Sequence, residues 1–131
     1  MPTLFSERSR PAQIALAGVV PFLFGAVLGV FLGISAGVYW GLSALAAIGG
    51  VLAGLEHPDA RGGARRGLVA GGLFALGLLI AHTIAGTDAK VSLGGFPPLL
   101  IVIDAIIGAL LGALGGRLSA ARRVAAAPAH D

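Results

Sequence analysis

An aspartate interrupts the last long apolar stretch of the chain. Asp104 lies about seven residues into this stretch, and seven residues of α-helix span about 10 Å. An ionised carboxylate at such a depth in a bilayer costs about 2.5 to 3.5 kcal/mol unless a partner compensates it. Because carboxylates and histidines inside membranes mark proton and cation pathways, Asp104 is the first candidate for chemistry.

Three further polar residues fall at a similar expected depth. His82 and Thr83 precede the end of the third apolar stretch, and Ser43 stands in the second. We expect a polar cluster in the outer half of the molecule, with Asp104 hydrogen-bonded to His82. One interpretation is a proton or cation site. The other is a protonated Asp104 that bonds to a neighbouring hydroxyl or carbonyl and serves helix packing alone.

Other short patterns do not support catalysis or cofactor binding. Residues 33–37 match the G-x-S-x-G pattern, but a nucleophile elbow needs a strand before Ser35, and an apolar helix precedes it here. Turn chemistry accounts for this serine. Glu56 and His57 are too few to ligate a metal, and the chain has no cysteine. We therefore expect no catalytic residue, no metal site, no cofactor and no enzymatic activity.

The elements that position these residues follow from composition. Of the 131 residues 56% are hydrophobic and 11% are charged, where a soluble domain carries about 25% charge. Helices need about 20 apolar residues to cross a bilayer. The sequence therefore predicts an all-α membrane protein with four transmembrane helices in a compact, glycine-packed bundle. The predicted spans are 13–34, 38–55, 68–86 and 96–115.

The basic residues predict an orientation. Lys90 alone lies between spans on one side, and the arginines flank the other side. These are Arg8, Arg10, Arg61, Arg65, Arg66, Arg117, Arg122 and Arg123. The positive-inside rule then predicts cytoplasmic segments 1–12 and 117–131 around a membrane domain 13–116, in a prokaryotic inner membrane. We expect the arginines to contact anionic lipid headgroups, and no nucleic acid, because the net charge is only +3.

Local features add detail to the helices and turns. Pro21 predicts a kink in the first helix, and Glu56 is expected to contact Arg65 or Arg66. The short turn after the first span predicts that the first two helices are antiparallel neighbours. Tyr39 and Trp40 are expected at the outer interface, where aromatic residues are enriched.

Small residues recur at every fourth position in all four helices. In lipid, where no hydrophobic force joins helices, such stripes let backbones approach closely. The glycines are Gly25, Gly29, Gly33, Gly50, Gly54, Gly67, Gly71, Gly108, Gly112 and Gly116. They indicate packing within one chain or, alternatively, association of several copies.

An internal repeat is a further hypothesis. A shift of 58 positions aligns Ala47, Ile48 and Gly50 with Ala105, Ile106 and Gly108. The chain is then two tandem helical hairpins of the same orientation. Chance similarity between biased apolar sequences is the alternative.

The sequence favours one function and leaves two others open. The first helix has no acidic residue and the chain has no asparagine, which argues against small multidrug transporters and fluoride channels. The favoured function is a non-enzymatic structural or accessory membrane component that binds a second copy or a larger membrane protein. The alternatives are an oligomeric ion channel or proton-coupled small-solute transporter that uses Asp104 and His82, and a membrane-permeabilising protein.

Overall fold

The computed structural model describes residues 3–126 as a bundle of helices. Four of these helices are long and apolar enough to cross a membrane: α1 (Arg10–Leu32), α2 (Ala36–Gly54), α3 (Ala60–Ala85) and α4 (Leu99–Ala126). A short 3-10 turn, Phe5–Glu7, precedes α1. The predicted all-helical membrane bundle is thus confirmed. Residues 127–131 of the predicted tail lie outside the described part.

Two helices extend well beyond their predicted spans at the end that carries the arginines, which we call the arginine end. α3 begins at Ala60 rather than at residue 68, because the Asp59 carboxylate accepts the backbone N–H of Gly62 at 2.8 Å and caps the helix. α4 continues to Ala126 rather than ending at residue 115. Arginine is a good helix former whose long side chain carries its charge to water, so a charged sequence can continue an apolar helix.

A π-helical turn precedes Pro21, the residue at which the sequence predicted a kink. Residues Ala15–Val19 form this turn, in which the N–H of Val20 bonds to the carbonyl oxygen of Ala15. Proline lacks an N–H, so the α-helical bond to Ala17 cannot form. The wider turn opens a shallow apolar groove of about 290 Å³ against Leu73 of α3.

Packing partners differ from chain neighbours. The most extensive contacts join α3 to α4 and α1 to α3, while α2 packs mainly on α4. α1 and α2 contact each other less, although only three residues separate them. They are sequential neighbours as predicted, but neither is the other's principal partner. Parallel pairs, α1 with α3 and α2 with α4, therefore flank the antiparallel pair of α3 and α4.

The antiparallel pair has a regular backbone contact. A Cβ added at Gly67 would overlap the carbonyl oxygen of Gly108, and one added at Gly108 would overlap that of Gly67. The same register joins Gly63 to Gly112, Gly71 to Asp104, and Gly116 to Asp59. Glycine is required here because any side chain would push the two backbones apart.

The parallel pairs also meet through glycine. Gly25 and Gly29 of α1 lie against the backbone of Phe74 and Leu78 in α3. In the other pair, Gly54 lies against the backbone of α4, and a Cβ added at Gly50 would lie 3.3 Å from the Leu111 side chain. Eight of the ten glycines singled out from the sequence meet the backbone of another helix or its cap, whereas Gly50 meets the side chain of Leu111 and Gly33 that of Thr87 in a loop. Three further glycines, which the small-residue pattern did not single out, also lie against backbone: Gly63, Gly77 and Gly115.

The end of the bundle opposite the arginines, which we call the far end, holds the small apolar core. Leu28, Leu32, Tyr39 and Leu78 are buried there. Tyr39 therefore belongs to the core and not to an interfacial belt, whereas Trp40 is 60% exposed, as a belt residue should be. The loop before α4 covers this core, and the N–H of Lys90 bonds to the last carbonyl of α1, at Leu32, over 2.7 Å.

Candidate functional site

Asp104, a residue of α4, is partly buried. Its carbonyl oxygen lies against Gly71, at the middle of α3. Gly50 packs on Leu111, and the same parallel register, seven positions earlier in both helices, places Ser43 of α2 at the level of Asp104. No hydrogen bond or ion pair to the Asp104 carboxylate occurs within residues 3–126.

His82 lies too far along α3 to pair with Asp104. It follows Gly71 by eleven positions, about 16 Å of helix, whereas α4 begins only five positions before Asp104. His82 thus lies beyond the start of α4, and its buried Nδ1 has no partner among the described residues. The expected Asp104–His82 hydrogen bond is therefore wrong. Counting residues from the helix ends misjudged the depth, because α3 projects beyond α4.

The two hydroxyl groups of the predicted cluster bond to their own helices. Ser43 donates to the carbonyl oxygen of Tyr39 at 2.8 Å, and Thr83 donates to that of Leu79 at 2.7 Å. Such bonds satisfy a hydroxyl locally and need no partner on another helix. The structure thus places Ser43 at the level of Asp104, leaves His82 and Thr83 apart from it, and does not assemble the four residues into one cluster.

A different polar cluster lies at the arginine end. Glu56, which is 8% exposed, follows α2 and lies between two arginines. Its carboxylate is 3.1 Å from Arg8 and 3.3 Å from Arg66, and the Arg66 side chain is 8% exposed. Arg66 also donates to the carbonyl oxygen of Ala53 at 3.2 Å. The expected Glu56–Arg66 contact is confirmed, and Arg8 is the partner that sequence reasoning missed.

An aromatic ring covers this ionic cluster. The guanidinium of Arg66 lies 4.4 Å from the centre of the Phe5 ring, and the ring of His57 lies 5.3 Å from it. The N–H of Phe5 donates to the carbonyl oxygen of Glu56 at 2.8 Å. Nothing in the periodicity of the sequence points to Phe5, since it lies outside every apolar run.

The eight arginines expected at lipid headgroups form two groups. Arg8 and Arg66 bind Glu56, so that Arg66 in particular is buried in the protein. Five are exposed: Arg10, Arg61, Arg65, Arg117 and Arg122. Arg123 is partly buried, and its Nε has no hydrogen-bond partner within the described chain. The charged side chains of the five exposed arginines can contact anionic headgroups.

The remaining motifs have structural roles. Ser35 accepts the N–H of Val38 at 3.2 Å and caps α2, which agrees with the turn interpretation of the G-x-S-x-G match. Within residues 3–126, no three His, Asp or Glu residues stand close enough to hold a metal ion. Chemically, the arrangement can hold charge at two places. One is the Glu56 carboxylate, which Arg8 and Arg66 share at the arginine end, and the other is Asp104 among the helices.

The chain matches no protein-family model, no curated protein and no solved structure.

Proposed function

We propose that this chain is a small multi-pass membrane protein without enzymatic activity, whose packed bundle is a structural or accessory component of a prokaryotic inner membrane. The backbone contact of α3 with α4 carries the proposal. It runs from the Asp59–Gly116 pair to the Gly71–Asp104 pair, about 18 Å of helix, and each of its four pairs contains a glycine. We call this contact the glycine seam. An ion pathway needs polar groups around a water-filled route, and a glycine seam excludes water.

The other polar groups of the bundle support the same proposal. The hydroxyls of Ser43 and Thr83 each donate to a carbonyl oxygen of their own helix, so neither donates a hydrogen bond to another helix. Glu56 and Arg66 neutralise each other at one end of the bundle. An interior of this kind favours a rigid bundle over the passage of ions.

The proposed partners are lipid and protein. The five exposed arginines favour anionic headgroups on the cytoplasmic side, which is where the positive-inside rule orients both termini. α2 has the most lateral room for a second copy or a larger membrane protein. A Cβ at its Gly41 or Gly49 would meet nothing within 4 Å, unlike the glycines that pack inside the bundle.

Extraction in mild detergent followed by native mass measurement tests this proposal. We expect a complex heavier than one chain, and no ion or proton flux when the purified chain is reconstituted in liposomes. Gly41→Leu should reduce the complex to a single chain, whereas Val102→Leu, on the exposed face of α4, should leave it intact. A monomer in native membrane, or flux through the wild-type chain, contradicts the proposal.

One observation favours a second candidate, an oligomeric ion channel or proton-coupled transporter. The Asp104 carboxylate lies on a helix long enough to span a membrane and has no hydrogen-bond or ion-pair partner in residues 3–126, and ionisable side chains inside membranes mark ion and proton pathways. His82, which the sequence paired with it, is not needed by this candidate.

Flux measurements separate the two candidates. If the chain transports ions, Asp104→Asn should abolish a wild-type flux, and Asp88→Asn, in the exposed loop before α4, should leave it unchanged. If wild type and both variants are equally silent across pH 5 to 8, the transport candidate is eliminated.

A further inference from the structure

The N-terminal segment crosses the turn between α2 and α3. We call residues 5–8 the strap. Its first residue donates a backbone hydrogen bond to Glu56 at 2.8 Å, and its last, Arg8, donates from Nε to the Glu56 carboxylate at 3.1 Å. Gln13 of α1 holds the carbonyl oxygen of Arg8 at 3.0 Å. The strap is thus fixed at both ends to the turn and closes the arginine end of the bundle.

His57 forms part of the surface on which the strap rests. The ring of Phe5 covers His57 from one side at 5.3 Å. The first turn of α3 confines it from the other, where a Cβ on Gly62 would lie 3.1 Å from Nδ1. The Nε2 atom is buried and has no hydrogen-bond partner in residues 3–126.

A proton on Nε2 would be poorly tolerated while the strap is in place. It would create a buried N–H donor with no acceptor, and such a donor costs about 1 to 3 kcal/mol. The charged groups that face His57 are Arg66 of α3 and the two acids of the turn, Glu56 and Asp59. Glu56 is already shared by Arg8 and Arg66, so it has little capacity left for a third cation.

We propose that the strap is a proton-sensitive latch: it is docked while His57 is neutral, and protonation of His57 releases it from the turn. Release uncovers His57 and Arg66 and frees Arg8. The latch lies at the arginine end of the bundle, away from Asp104, so it does not depend on whether the bundle is structural or conducts ions.

The direction of the pH dependence follows from linkage. Burial lowers the pKa of His57, and Arg66 lowers it further, whereas Glu56 and Asp59 act in the opposite sense. An exposed histidine has a pKa of about 6.5, so the released form binds the proton more tightly than the docked form. Docking is therefore at full strength above about pH 7.5. Below pH 6.5 the ratio of docked to released strap falls by up to about tenfold per pH unit, until the lowered pKa is reached.

Spin labelling of the full chain in lipid nanodiscs tests the latch. The chain has no cysteine, so Ser6→Cys, on an exposed residue of the strap, gives a single labelling site. We expect an immobilised label at pH 8 and a growing mobile fraction toward pH 5. Arg8→Ala removes one anchor, so in that background the mobile fraction should appear at a higher pH.

Variants at two histidines assign the effect. His57→Gln should give the same label mobility from pH 5 to 8, whereas His82→Gln should retain the wild-type pH dependence. Phe5→Ala should free the label at every pH and bring the pKa of His57, followed by NMR, back toward 6.5. The latch is refuted if mobility is independent of pH both with and without Arg8→Ala, or if the dependence persists in His57→Gln.

Discussion

The backbones of Gly67 and Gly108 fill the space that each other's side chain would occupy. A Cβ on either residue would overlap the carbonyl oxygen of the other. Gly63 and Gly112 form a second reciprocal pair, and Gly71 and Gly116 continue the contact against the carbonyl oxygens of Asp104 and Asp59. A side chain added at Gly67 would therefore meet backbone rather than a side chain that could move aside.

Gly67→Ala should destabilise the bundle by about 1 to 3 kcal/mol, since overpacking a fixed contact forces the helices apart. The measurement is unfolding of the purified chain in mixed micelles with increasing SDS. Gly49→Ala is the matched control, because a Cβ there meets nothing within 4 Å. Alanine also favours helix over glycine by about 1 kcal/mol, so the control should be neutral or more stable. An equal loss of stability in both variants would contradict a close backbone contact between α3 and α4 at Gly67.

Glu56→Gln should destabilise the chain by about 3 kcal/mol. The substitution preserves volume but leaves Arg66, whose side chain is 8% exposed, without its counter-charge. The same SDS unfolding series measures the loss. Asp88→Asn removes an exposed acid and should change stability by no more than about 0.5 kcal/mol. A Glu56→Gln chain as stable as the wild type would mean that the ionic cluster contributes nothing.

Asp59→Ala should cost about 1 kcal/mol, because the first turn of α3 loses the acceptor for the Gly62 N–H. Hydrogen exchange of amides 60–66 should accelerate in this variant. Asp59→Ser retains a capping oxygen and should exchange like the wild type. Fast exchange of these amides already in the wild type would indicate that the helix begins later, near residue 68 as the sequence predicted.

Trp40 should report the far membrane interface. It is the only tryptophan, and it is 60% exposed near the start of α2. In liposomes its fluorescence should be quenched more by lipids brominated near the headgroup than by lipids brominated near the chain ends. Stronger quenching by the deep bromines would be incompatible with α2 crossing the bilayer from this end.

The sequence predicts the four helices better than it predicts the candidate site. Apolar run length was sufficient to find all four helices, because the local hydropathy of each segment decides whether it spans. The helix ends were harder to predict from the sequence. α3 starts after a capping aspartate and contains three arginines, which a hydropathy pattern places outside the helix. The His82 assignment failed for a related reason, since the register of two helices depends on where their glycines meet.

The sequence by itself determined that this chain is helical, apolar on its outside and basic at one end, because composition and charge order are local properties. Only the tertiary structure decided which glycines touch, that Asp104 and His82 lie apart, and that Arg8 and Phe5 fold back over Glu56 and His57. Those relationships join residues up to about sixty positions apart. They depend on which helices pack against each other. Four similar apolar patterns carry too little information to specify that packing.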